Sequence, residues 1–348
     1  MSTLQISLAV GGLLILLGLV LHNAWSARKN LPKQAAPASQ SAQPQQPGAP
    51  TERQEPRFDT DATLAALTQF TAPERKPMLD SLIDAIAGVT LDSPVSGDAA
   101  LAAMPATRRV GSKPFAIEGL NVAGGEWEVP AAGQRYSAFQ CGIQLANRTG
   151  ALNQIEYSEF VMKTQAFVDA IGGVVEFAEM QDEVARAREL DQFASAHDAQ
   201  LGMNLRAVQT SWSPGYVQQN AASLGFVSGS IPGRMVLPSS HPGQGPMLGL
   251  SFDSQAALAE DPDQTALREL SLSLDVPQVQ RSEKPFARMC EVAIALARKM
   301  DGVIIDDNGN LIRPEAMEVI HADLEQLYDR LDARELSAGS VLGRRLFS

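Results

Sequence analysis

The apolar positions of this chain fall into distinct regimes, and the first is a run from Thr3 to Leu21 (T-L-Q-I-S-L-A-V-G-G-L-L-I-L-L-G-L-V-L) that carries no charge. At about 1.5 Å rise per residue, a helix of that length just spans the roughly 30 Å hydrocarbon core of a bilayer. The run predicts a transmembrane anchor over residues 1–25. No Lys or Arg precedes it, whereas Arg28, Lys29 and Lys33 follow closely. Positive charge therefore holds the later chain on the cytoplasmic side and leaves Met1 outside. A secretory signal peptide is the competing reading. It needs a basic n-region and a small-x-small cleavage site, and only Ala24-Trp25-Ser26 partly meets the second requirement.

Residues 26–57 have no apolar period and are rich in Pro, Gln, Ala and Ser (P-K-Q-A-A-P-A-S-Q-S-A-Q-P-Q-Q-P-G-A-P). Such a stretch cannot bury enough apolar area to offset chain entropy, and it reads as an extended tether.

Periodic patterns resume after it. Asp61 to Phe70 and Lys76 to Ala87 predict short helices, the second with Leu79, Leu82, Ile83 and Ile86 on one stripe. Phe115 to Val122 and Tyr136 to Leu145 predict strands. A helix over Ile155 to Ile171 stops at Gly172-Gly173; Val174 to Phe177 is a short strand, and Asp182 to Ala196 a charged helix. The second half repeats this grammar. L-G-M-N-L-R-A-V from Leu201 alternates as a half-buried strand, and E-L-S-L-S-L-D-V from Glu269 does the same. Pro214 to Leu224 predicts a helix; strands are expected within Phe226 to Pro238 and at Met247 to Phe252. A helix over Glu283 to Met300 is expected to end with Gly302 at its C-cap. Asn308-Gly309 predicts a hairpin turn between Val303-Ile304-Ile305 and Leu311-Ile312. Pro314 opens a long helix with Met317, Ile320, Leu324, Leu327 and Leu331 on its stripe.

The fold class is therefore α/β (α+β), with strands and helices in each half of the chain. Residues 58–198 form an additional α/β region. F-V-D-A-I-G-G-V-V-E-F there and I-A-L-A-R-K-M-D-G-V-I-I-D near the C-terminus share a helix, a glycine and a short strand, which makes that region a candidate divergent half-repeat. Residues 333–348, including Arg344-Arg345-Leu346-Phe347, are expected to be a flexible tail.

Formal net charge is −12 with a pI near 4.9. An acidic chain argues against a nucleic-acid partner, because phosphate binding calls for a Lys/Arg-rich face. Cys141 and Cys290 belong to no C-x-x-C pair, and His22, His197, His241 and His321 show no metal-ligand spacing. No G-x-G-x-x-G, Walker A or G-x-S-x-G motif is present. Asp306-Asp307-Asn308-Gly309-Asn310 lacks the phase and the later Glu of a calcium loop. His241 sits in a Gly/Pro loop and reads as an exposed histidine. No catalytic site, cofactor, metal or small-molecule substrate is expected.

The segments G-M-N-L-R-A-V, G-F-V-S-G, G-Q-G-P, L-S-L-D-V-P and above all D-G-V-I-I-D-D-N-G-N-L-I-R-P-E, set behind an anchor and a Pro/Gln-rich arm, resemble the ZipA family of bacterial cell-division proteins over residues 199–332. The resemblance implies an antiparallel sheet with helices on one face. It also implies that the open face binds the C-terminal tail of FtsZ and so tethers its filaments to the inner membrane at the division septum. On that resemblance the partner-binding positions are Gln200, Gly202, Asn204, Ile231, Ser251, Asp253, Ser271 and Ser273. A scaffold of the same fold that binds another septal or envelope protein is the alternative.

Overall fold

The computed structural model describes residues 32–35, 79–241, 243–261 and 265–348. The expected anchor, the expected helix at 61–70 and most of the Pro/Gln-rich stretch lie outside the described residues. The described residues divide into two compact units: 79–192, and 193–348 together with 32–35. Among the described residues no helix is long and apolar enough to cross a membrane.

The N-terminal unit runs β1 (Asp84–Ser96), α1 (Gly97–Ala103), β2 (Arg109–Val110), β3 (Lys113–Asn121), β4 (Trp127–Glu128), β5 (Arg135–Gln144), β6 (Ala146–Asn147), β7 (Gly150–Ala151), α2 (Gln154–Ile171), β8 (Gly173–Glu176) and α3 (Met180–His197), the last residues of α3 entering the other unit. Its antiparallel sheet has the order β2-β3-β5-β1-β8, with β4 paired to β3.

The helix expected over 76–87 is not there: a turn leads into β1. Apolar residues in this stretch fit both periods, and pairing of Asp84 to Thr90 with β5 decides for the strand, burying Ile83, Ala85, Ala87 and Val89 on one side. Helix α2 is as expected. Asn153 caps it through a reciprocal capping box with Glu156, and Gly172 ends it at φ 70°, where a Cβ would be strained. Its Phe160 and Phe167 pack edge-on to Phe115 and Phe139 at centroid distances of 5.9 and 5.4 Å, which fixes the helix-bearing side of the sheet.

Among the described residues of this unit Asp84, Lys113, Glu118, Glu156 and Glu183 are buried, Lys113 being the buried cation. Lys113 donates from Nζ to Asn147 Oδ1 at 2.8 Å and to the Gly150 carbonyl at 2.6 Å, tying β3 to the β6–β7 turn. Burial pulls its pKa below the ordinary lysine value, and nearby Glu156 works against that pull.

The C-terminal unit runs β9 (Gln200–Ala207), α4 (Pro214–Ala222), β10 (Val227–Ser228), β11 (Arg234–Leu237), β12 (Leu248–Ser251), α5 (Ser254–Ala257), β13 (Glu269–Asp275), α6 (Pro285–Met300), β14 (Gly302–Ile305), α7 (Pro314–Ala333) and α8 (Val341–Leu346). Its six-stranded sheet has the order β10-β11-β12-β13-β9-β14, antiparallel throughout. Met203, Leu205, Leu250, Leu270, Leu272 and Leu274 are buried on one side, where Met289, Val292, Ala293 and Leu296 of α6 complete the core.

Several expectations need correction here. The C-cap of α6 is Asp301 at φ 58°, and Gly302 already belongs to β14, held close by the Trp212 indole and the Arg206 carbonyl. The 306–310 turn exists, but it is wider than a two-residue hairpin. The Asp306 carboxylate accepts from the amides of Asn308 and Asn310 at 2.9 and 2.8 Å, which holds Asp306 below the usual carboxylate range. The tail expected to be flexible is packed: Leu336, Leu346 and Phe347 are buried, and the Gln278 side-chain amide donates to the Phe347 carbonyl at 2.7 Å. Its isolated apolar residues carried no period that could reveal this.

Part of the expected tether is also ordered against the C-terminal unit. Lys33 N–H donates to the Ser211 carbonyl at 2.7 Å and Ser213 N–H donates to the Lys33 carbonyl at 2.9 Å, a parallel bridge beside Trp212. Lys33 Nζ also donates to the Met300 carbonyl at 3.0 Å and pairs with Asp301 at 3.6 Å.

The units share one order of elements. In each, a first strand is followed by a helix and then by an antiparallel meander whose last strand pairs with the first. A helix ending in a left-handed residue, Gly172 or Asp301, then delivers a short strand to the first strand's other edge, and a further helix follows.

Candidate functional site

On the C-terminal sheet the strand register decides which of the expected positions meet. Gly249, Ser273 and Gly202 lie side by side across β12, β13 and β9; Ser251, Ser271 and Asn204 form the next row; Gln200 stands opposite Asp275 at the end. These residues alternate with the buried leucines, so they occupy the side of the sheet turned away from α6. The surface is smooth. A Cβ on Gly249 would stand 2.5 Å from Ser273 Oγ, a contact that rotation of the serine side chain relieves, and a Cβ on Gly202 would meet only Asp307 Oδ1 at 3.7 Å.

Ile231 and Asp253 are not strand positions. Ile231 is in the turn between β10 and β11, where Ser-Ile-Pro-Gly reverses the chain and Gly233 takes φ 76°. Asp253 lies past the end of β12 and caps α5, its carboxylate accepting from Gln255 N–H at 2.8 Å. A capping carboxylate is engaged with the backbone and is poorly placed to meet a partner.

The register also brings in residues that the sequence reading omitted. Val236 pairs with Gly249, Arg234 with Ser251, and Val227 with Val236, which places an apolar margin beside the polar rows. Arg206 and Glu269 lie opposite each other on the same side and form an exposed ion pair at 2.6 Å. Asn204 Nδ2 donates to Asp307 Oδ1 at 2.9 Å. The alternation of β9 and β13 was the signal available for this face; the short strands β10 and β11 offered little.

The same side of the N-terminal sheet was missed altogether. Ile86, Gly88 and Thr90 of β1 alternate with the buried positions, with Ala138 and Gln140 beside them on β5, Val174 and Glu176 on β8, and Trp127 reached through Leu120. Ile86, Gly88, Thr90, Trp127, Ala138, Val174 and Glu176 line a trough of about 700 Å³. Misreading 76–87 as a helix concealed its floor.

The expected absence of a nucleophile–base pair was read from motifs. The structure adds detail at His241, whose Nδ1 lies 2.8 Å from Glu283 Oε1, while the Ser239 hydroxyl donates to the same carboxylate. Burial tends to raise the pKa of Glu283, but the hydrogen bonds from Ser239, His241 and Ser240 outweigh it and hold the carboxyl below its ordinary value. Among the described residues no group of three or more His, Cys, Asp or Glu side chains is placed to hold a metal ion.

The C-terminal unit thus presents one side of its antiparallel sheet away from the helix that covers the other. Residues 258–323 match the family described as ZipA, C-terminal FtsZ-binding domain. The match takes in β13, α6, β14 and the start of α7. No curated protein matches the chain. Among solved structures, berberine bridge enzyme from Eschscholzia californica in a monoclinic crystal form is 11% identical over 76% of this chain and 54% of its own, with a TM-score of 0.16. A variant of berberine bridge enzyme is also 11% identical, over 75% and 52%, with a TM-score of 0.17. The chain spans about half the length of these structures, and likeness at that level bears on neither fold nor function.

Proposed function

We propose that this chain is a cell-division adaptor, anchored in the inner membrane by residues 1–25 with its N-terminus periplasmic, that binds FtsZ through its cytoplasmic part and supports septal ring assembly. The observation that carries the reading is the family match at 258–323, which falls on the strand bearing Ser271 and Ser273 and on the helix behind it. The uncharged run Thr3–Leu21, with Arg28, Lys29 and Lys33 after it, supports the anchor and its orientation. Gln200, Gly202, Asn204, Ser251, Ser271 and Ser273 are the positions through which the C-terminal sheet would meet a partner.

One observation favours a second reading. Serine, glycine and asparagine offer little of the roughly 25 cal/mol per Å² that apolar burial contributes, so this face suits a different septal or envelope partner equally well. Titrating the full-length chain in detergent micelles with a synthetic peptide of the FtsZ C-terminal tail separates the two. Saturable binding supports the FtsZ reading; none up to millimolar peptide rejects it in favour of the other partner.

A further inference from the structure

The start of α6 opens on a cavity of about 320 Å³ within the C-terminal unit, closed on its other side by His321, Leu324 and Tyr328 of α7. Its lining holds hydrogen-bond donors that folding leaves unused. Lys284, at the cap position of α6, sits at φ 49° and has no side-chain oxygen to accept from the helix. The first helical bond runs from Arg288 N–H to the Lys284 carbonyl, and Pro285 has no N–H. The amides of Phe286 and Ala287, both residues of the lining, therefore have no capping side chain to donate to. Tyr328 is 3% exposed, and its hydroxyl has no hydrogen-bond partner among the described residues. Burial pushes this phenol up to about 12, so it remains a neutral donor. Buried polar groups are rarely left in that condition. Lys284 is exposed and forms no ion pair among the described residues. The carboxylate in the lining, Glu325, is already engaged by Arg281, which also donates to Asp329 at 2.8 Å.

We infer that this cavity is a small-molecule site for a singly charged carboxylate carried on an aromatic body. An uncapped helix start favours an anion, and the two free amides, Lys284 and the Tyr328 hydroxyl supply the donors a carboxylate needs. The walls suit a ring: Phe286 and Leu324 are buried, and the His321 imidazole lies nearly parallel to Phe286, at 13° with centroids 6.3 Å apart. Charge selects a monoanion. Arg281 is offset by Glu325 and Asp329, so Lys284 balances the ligand, and a dianion such as a phosphate monoester would bring its second charge against Glu325. Size selects a single ring, because the volume lies at the small end of the roughly 300–1,000 Å³ of ligand pockets. The site is built on α6 and α7, behind the sheet, and does not depend on the FtsZ reading.

The experiment is a calorimetric titration of the full-length chain in detergent micelles with sodium phenylacetate, protein-free micelles serving as the blank. Saturable binding with a Kd of about 10 mM or tighter is expected. Benzyl alcohol, which lacks the charge, and inorganic phosphate, which lacks the ring, should each bind at least about tenfold more weakly. Tyr328→Phe deletes the unpartnered hydroxyl and keeps the ring; Lys284→Gln deletes the charge and keeps the length. Each should weaken phenylacetate binding by about fivefold or more, with circular dichroism confirming that the variant is folded. The assignment is overturned if the unaltered chain shows no saturable binding, if either variant loses less than this, or if either control compound binds within tenfold of phenylacetate.

Discussion

Removing the Lys33 side chain tests whether the segment after the expected anchor is clamped to the C-terminal unit. Lys33→Ala keeps the backbone bridge, with its hydrogen bonds of 2.7 and 2.9 Å, and deletes the Nζ contacts to the Met300 carbonyl and Asp301. A charge-assisted hydrogen bond is worth about 1.5–3 kcal/mol at full burial, and partial exposure of Lys33 reduces that to about 1 kcal/mol. The ion pair lies at 3.6 Å between side chains 29% and 56% exposed, which adds about 0–1 kcal/mol. The Met300 carbonyl is not orphaned, because Trp212 Nε1 still donates to it at 2.8 Å. The total is about 1–2 kcal/mol of local stability, a factor of roughly 5–30 in the opening equilibrium of the clamp. Amide hydrogen exchange reads this directly, since Ser213 N–H is protected by the Lys33 carbonyl. Ser213 should exchange about 5–30 times faster in the variant while amides of β13 are unchanged. An unaltered Ser213 rate would refute the assignment of clamp stability to the side chain.

Other consequences can be measured with single variants. Lys113→Ala removes the ammonium donor of the Gly150 carbonyl while Asn147 Oδ1 keeps Thr149 N–H and Oγ1 as donors, so chemical denaturation of the N-terminal unit should show a loss of about 1–3 kcal/mol; no measurable loss would contradict the network. Glu283 has a depressed folded pKa, so its contribution to stability is present above the ordinary carboxylate range and is lost as pH falls below it through the folded value. Glu283→Gln should accordingly flatten the acid limb of the melting-temperature profile, and an unchanged limb would count against this. Burial pushes the Cys141 thiol up to about 12, so Cys141 should stay unmodified by a thiol reagent at pH 8 until denaturant is added; modification in the folded chain would show that the site opens. Asn153→Ala removes the capping box of α2 and should cost the N-terminal unit about 1–2 kcal/mol in the same denaturation assay.

Where a single local rule governed a segment, the sequence was readable. The alternation of Leu201 to Ala207 and of Glu269 to Asp275 marked the central strands of the C-terminal sheet, and Pro314 stands at the first helical turn it was expected to open. Where two rules competed, the partner decided. Ile83 to Val89 satisfies both helical and strand spacing, and only pairing with β5 resolves it. Packing without periodicity stayed hidden: Leu346 and Phe347 are buried by a short helix at the chain's end, and Lys33 is held by backbone pairing that no side-chain pattern announces. The candidate face followed the same division. Gly202, Asn204, Ser251, Ser271 and Ser273 share one side because period-2 strands put them there, whereas Ile231 and Asp253 were displaced by a turn and by a helix cap that register alone reveals. The trough on the N-terminal unit was lost with the misread strand that forms its floor.

The proposed joining of FtsZ to a membrane can be read by co-sedimentation with liposomes. Full-length chain reconstituted into vesicles should carry FtsZ filaments into the vesicle fraction, and vesicles bearing a variant that lacks residues 1–25 should not. FtsZ filaments left in the supernatant by vesicles that hold the intact chain would contradict the account.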